Sequence, residues 1–146
     1  MKSKTYLVNT NIVKADIGTM CLAYLPDSQT FLVLNKTAGV LLTILEQVRS
    51  KNSVVKVLSE LYPHEEERFI KRTVESFIHL VVDNKIAVKT DTSKAVAEAI
   101  NLPMPVEKLE PPIISAYEKK WIIQNHPDAV YEPAFSDTWS PASGGV

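Results

Sequence analysis

Apolar residues alternate along the first third of the chain and then switch to a helical spacing. Residues 12–17 (IVKADI) and 20–25 (MCLAYL) have strand composition. Only Gly18-Thr19 separates them, a hairpin spacing in which Gly18 supplies the unusual dihedral. Pro26-Asp27-Ser28 marks a second turn, and residues 30–34 (TFLVL) read as a third strand. The expectation is a three-stranded antiparallel meander. In its third strand Phe31 and Val33 point to one face, Leu32 and Leu34 to the other. Both faces are apolar. Either helices cover one face while something else meets the other, or the strand is buried outright.

The period changes at Asn35, whose side-chain oxygen can accept a bond from the first turn of a helix. Ala38, Leu41, Leu42, Leu45 and Val48 then recur on one helical face. This joint swings the helix back over its own sheet. Ser50-Lys51-Asn52 is read as its end, with Ser53 capping a short second helix that carries Val54, Val55, Leu58 and Leu61. Pro63 closes that helix. A third is expected from about His64, with Glu65, Glu66 and Glu67 in its first turn, where the helix dipole favours negative charge. Ile70, Val74, Phe77, Ile78 and Val81 form its core stripe. Phe69, Thr73, Ser76 and Leu80 share one flank. They pack on a strand or on the tail, or they line a groove. Asp83-Asn84 stops the helix, and residues 86–88 read as a short strand or wing.

Composition splits the chain near residue 102. Residues 1–102 hold 13 Lys and Arg against 11 Asp and Glu; residues 103–146 hold 3 against 6. Seven of the nine prolines follow residue 102, so the second part is not a regular domain. The reading is a folded body, 1–102, and an extended tail, 103–146, rich in proline and aromatic residues. A short helix is expected at 93–100, just before the tail. No apolar stretch approaches the ~20 residues that span a bilayer, and residues 1–11 lack the apolar core of a signal peptide. The expectation is a cytoplasmic protein without a membrane or nucleic-acid partner, since a net charge of −1 gives no pull toward phosphates.

Candidate chemistry is sparse. Cys21 is the only cysteine, which excludes an internal disulfide and any Cys-only metal site. His64, His79 and His126 pair with neither Cys21 nor a carboxylate at ligand or triad spacing. The four glycines, at 18, 39, 144 and 145, make no phosphate loop. An enzyme is not expected, nor a cofactor or metal. A winged-helix DNA-binding protein is the alternative class, but Glu65, Glu66 and Glu67 would face phosphates at the start of its recognition helix.

The stretch Leu34-Asn35-Lys36-Thr37-Ala38 followed by GVLLTILE resembles the PqqD family. So do the order and spacing of IVKADIGTMCLAYLPDSQTFLVLN before it and of the helix ending FIHLVVDNKIAV after it. The likeness covers about residues 12–89. At Asp83-Asn84-Lys85-Ile86 the family more often has a glycine, and Asn can adopt the left-handed conformation that glycine supplies there. The resemblance implies an α+β fold: a three-stranded antiparallel sheet followed by a three-helix, winged-helix-like bundle. It implies a peptide chaperone, a recognition element for ribosomally made, later modified peptides (natural-product or coenzyme pathways such as pyrroloquinoline quinone biosynthesis). A precursor's leader would add as a strand beside the third strand and lie on the third helix. A modifying enzyme, often a radical-SAM protein, would act on the presented peptide. Peptide-binding positions would then be Thr30, Phe31, Leu32, Val33 and Leu34 at the edge, Phe69, Thr73, Ser76 and Leu80 along the groove, and Arg72 at its rim.

The tail admits three readings. It packs on the body and fills the groove itself. It docks on a partner enzyme through Trp121 and Trp139. Or it is a substrate fused to its own recognition domain, with SDTWSPASGGV as the modified segment, held near the groove at high effective concentration.

Overall fold

The structure, a computed structural model, describes residues 5–9, 11–17, 20–90, 108–126 and 133–135. In chain order these form β1 (Thr5–Val8), β2 (Val13–Ile17), β3 (Met20–Leu25), β4 (Thr30–Asn35), α1 (Lys36–Val48), α2 (Lys51–Leu61), α3 (Glu67–Asp83), β5 (Ala87–Thr90), β6 (Ile114–Tyr117), α4 (Lys119–Asn125) and a 3-10 turn, Pro133–Phe135. The fold is α+β with two antiparallel sheets, β2-β3-β4-β6 and β1-β5. The Gly18-Thr19 turn and the expected helix at 93–100 lie outside the described residues.

The meander is present as β2, β3 and β4, with Leu22 opposite Val33 and Ala23 opposite Leu32. Its extent differs from expectation. A fourth strand, β6, comes from the tail and pairs antiparallel with β4, setting Leu34 against Ile114 and Phe31 against Tyr117. The wing is likewise not a free strand. Thr5–Val8 pairs with Ala87–Thr90 along its length. Hence a four-stranded and a two-stranded sheet with four helices replace the three-stranded, three-helix arrangement among the described residues.

Asn35 caps α1 as the pattern requires, its Oδ1 accepting the Ala38 N–H at 3.0 Å. Other helix ends move. Arg49 takes a left-handed φ of 61° and ends α1, and Ser50 rather than Ser53 caps α2, accepting the Ser53 N–H at 3.1 Å. Lys51 and Asn52 are therefore helical. Glu65 and Glu66 precede α3, leaving only Glu67 in its first turn. At the other end of α3, Lys85 and not Asn84 is left-handed (φ 61° against −89°). Ile86 N–H returns to the Val81 carbonyl at 2.9 Å and Lys85 N–H to Val82 at 3.1 Å. This is the paired-bond helix stop that favours glycine at its left-handed residue, here a lysine.

The sheet is buried on both faces, which answers the question posed by the third strand. On one face Cys21, Ala23, Leu25, Leu32, Leu34 and Ile114 join the apolar faces of α1, α2 and α3. Each such fully buried aliphatic side chain contributes roughly 1.5–3 kcal/mol relative to exposure. Gly39 lets α1 approach β3 closely, since a Cβ there would sit 3.3 Å from the Cys21 Cβ. The other face, Leu22 and Phe31 with Val13, Ala15, Tyr24 and Val33, is covered by Ile122 of α4, Phe135, Tyr117 and Trp121. The described part of the tail thus supplies one strand and one covering layer. No helix among the described residues is long and apolar enough to cross a membrane.

Candidate functional site

Two residues at the start of α1 do more than begin a helix. As the capping residue, Asn35 commits its carbonyl to α1. Its side chain replaces that carbonyl in the sheet. Asn35 N–H donates to the Ile113 carbonyl at 3.1 Å, and Ile113 N–H donates back to Asn35 Oδ1 at 3.0 Å. Asn35 Nδ2 donates to the Pro111 carbonyl at 2.9 Å, and Glu110 N–H donates to Thr37 Oγ1 at 3.2 Å. Pro111 and Pro112 have no N–H. Both donors in Glu110–Ile113 are therefore taken by Asn35 and Thr37, and the register of β4 with β6 continues the pairing from there.

All these bonds reach backbone atoms, so they recognise extended chain and not sequence. The side chains of the bound segment differ in role. Leu109 (3% exposed) and Ile114 (8%) enter the helix-side core, and Pro112 is buried. Ile113 is 58% exposed, Ala116 is exposed and Ser115 partly so. Prolines help here, because the residue before each is driven toward extended backbone.

The expected edge residues Thr30, Phe31, Leu32, Val33 and Leu34 all lie in β4, and the edge they offer is filled by β6. The flank of α3 is not the single wall the spacing implies. Thr73 is buried and its hydroxyl donates to the Phe69 carbonyl at 2.8 Å, within the helix. Phe69 and Leu80 are half-buried against the helix-side core, while Ser76 is exposed. The principal neighbours of α3 are α2, α1 and β5, and those of β4 are β3, β6, α1 and α4. Arg72 sits apart, on a shallow charged depression with Glu67, Arg68, Lys71 and Glu75. Trp121 is stacked on Tyr117 with ring centroids 3.7 Å apart and planes 9° from parallel, so its ring is engaged within the chain. Trp139 lies outside the described residues.

The residues the pattern did not single out for this site are Asn35 and Thr37. Their signal is the short polar stretch Asn35-Lys36-Thr37 between the apolar strand 31–34 and the apolar helix that follows.

A second hollow is lined by Lys14, Ala15, Asp16, Cys21, Gly39 and Thr43. Burial first, then the nearby Asp16, pushes the Cys21 thiol up to about 11, which is the wrong direction for a nucleophile. Lys14 also pairs with Glu46, and burial draws the lysine's pKa down. Among the described residues no three His, Cys, Asp or Glu side chains converge where a metal ion could be held. No family model, curated protein or solved structure matches the chain.

Proposed function

We propose that the body is a PqqD-like peptide-recognition module, which captures an extended precursor leader by strand addition on β4 and presents it to a modifying enzyme. The observation that carries this reading is the β4 edge with Asn35 and Thr37, which holds an extended segment through bonds to that segment's backbone. Strand addition takes its affinity from such bonds and its selectivity from side-chain pockets. The module performs no chemistry in this reading and needs no cofactor. Its modifying partner would act on residues of the peptide beyond the edge, and a radical-SAM enzyme is the class the family resemblance suggests.

The test is a titration of the isotope-labelled full chain with candidate leader peptides, followed by amide chemical shifts. A leader should move the amides of Thr30–Asn35 and leave those of β2 in place. Failure of every candidate to move the β4 amides would remove the reading.

One observation favours a second reading. The occupant of the edge belongs to the same chain, as it would if the tail were a leader fused to its own reader and the residues after it the substrate. Intact mass of the chain from its native cells separates the two. A mass change or a clip within residues 103–146 identifies a substrate, and an unaltered mass leaves a module acting in trans.

A further inference from the structure

The bonds that hold Glu110–Tyr117 are blind to sequence, so something else must choose the occupant. Of residues 109–117 only three side chains are buried: Leu109, Pro112 and Ile114. Pro112 contributes stiffness and removes a donor. Leu109 and Ile114, five positions apart, are the two apolar side chains of the segment delivered to the helix-side core, where Phe69 and Leu80 also pack. Ile113, Ser115 and Ala116 face solvent wholly or in part.

The same segment is covalently attached, and that changes the competition. A tethered strand meets its edge at an effective concentration on the order of millimolar. A free peptide of micromolar intrinsic affinity would be set back by about a thousandfold against it.

We propose that β6 is a tethered occupant of the peptide site on β4, and that a peptide acting in trans must displace it and carry apolar side chains at the five-residue spacing of Leu109 and Ile114. The proposal rests on the strand-addition reading above.

The alternation that begins at the bonded pair Asn35–Ile113 places Ser115 in the next bonded pair, with its N–H toward β4. Ser115→Pro therefore removes a ladder donor from β6 and alters no residue of the body. The probe is a fluorescent synthetic peptide with the sequence of residues 108–118, titrated by anisotropy into the full chain and into the full-length Ser115→Pro variant. The variant is expected to bind the probe at least tenfold more tightly than the wild type. A probe with Asp at the positions of Leu109 and Ile114 is expected not to bind. A second form, the wild-type chain carrying a protease site within residues 91–107 and cut after folding, guards against misfolding of the variant. There the cut tail should exchange for excess probe, seen in tryptophan fluorescence, because both tryptophans lie in the tail. Equal, measurable binding to wild type, variant and cut chain overturns the tethered-occupant proposal and leaves strand addition standing. Binding of the Asp probe as tightly as the native one overturns the spacing. No binding to any form overturns the strand-addition reading and the proposal with it.

Discussion

Asn35 and Ile113, 78 residues apart, exchange two hydrogen bonds, at 3.1 Å through the Asn35 backbone and at 3.0 Å through its side chain. The side chain is needed because a residue that caps a helix has no carbonyl left for a strand. This dual use separates two substitutions. Asn35→Ala loses the cap, worth about 1 kcal/mol, and its tail bonds, each worth about 1 kcal/mol net; a loss of about 2–3 kcal/mol is expected. Asn35→Asp keeps both acceptors and caps equally well, but turns an acceptor toward the Pro111 carbonyl in place of the Nδ2 donor; a loss of about 1 kcal/mol is expected. Urea unfolding curves of the three proteins check the order. A loss of about 1 kcal/mol for Asn35→Ala with none for Asn35→Asp, the cap alone, would show that the tail bonds contribute nothing.

Lys85 occupies the left-handed position of the stop after α3. A β-carbon is disfavoured there, and glycine is not. Lys85→Gly is expected to raise stability by about 1 kcal/mol, an increase that a shifted denaturation midpoint at unchanged slope would register.

Phe135 is fully buried beside Phe31, with ring centroids 6.0 Å apart. Phe135→Ala should cost about 3–5 kcal/mol if the covering layer is integral to the fold. Thermal melts followed by circular dichroism give the answer. A loss below about 1 kcal/mol would mean that the layer rests on the sheet without holding it.

The Cys21 thiol is pushed up to about 11 by burial. Between the ordinary thiol value, 9.0, and about 11, the unfolded chain releases this proton and the folded one retains it. The contribution of Cys21 is thus fully present below pH 9 and is lost as pH rises through about 11. Lys14, whose pKa is lowered, pulls the opposite way. Cys21→Ala isolates the thiol: the fall in stability from pH 8 to pH 10.5 should be smaller in the variant than in the wild type. Alkylation of Cys21 at pH 8 should also stay slow until the chain is unfolded.

Local pattern made β2, β3, β4 and α1 legible, because each carries its own period and Asn35 carries its own cap. Partnership at a distance was not legible. The segment ISAY at 114–117 includes serine and alanine, poor strand formers, and becomes β6 through contacts with Asn35, Thr37 and β4. TYLV at 5–8 is too short to announce itself, and it is a strand because β5 lies beside it. Burial along the flank of α3 was not legible either: helical spacing places Thr73 and Ser76 on one side, and the first is buried while the second is exposed.

The long reach from β4 to β6 also has a consequence in time. A ribosome makes residues 30–35 well before residues 114–117, so the edge of β4 is open through most of synthesis. Closing it requires a loop of nearly 80 residues, slower than the local hairpin between β3 and β4. During that interval the nascent chain offers unpaired backbone and a bare Leu22–Phe31 face to any extended peptide nearby, its own neighbours on the polysome included.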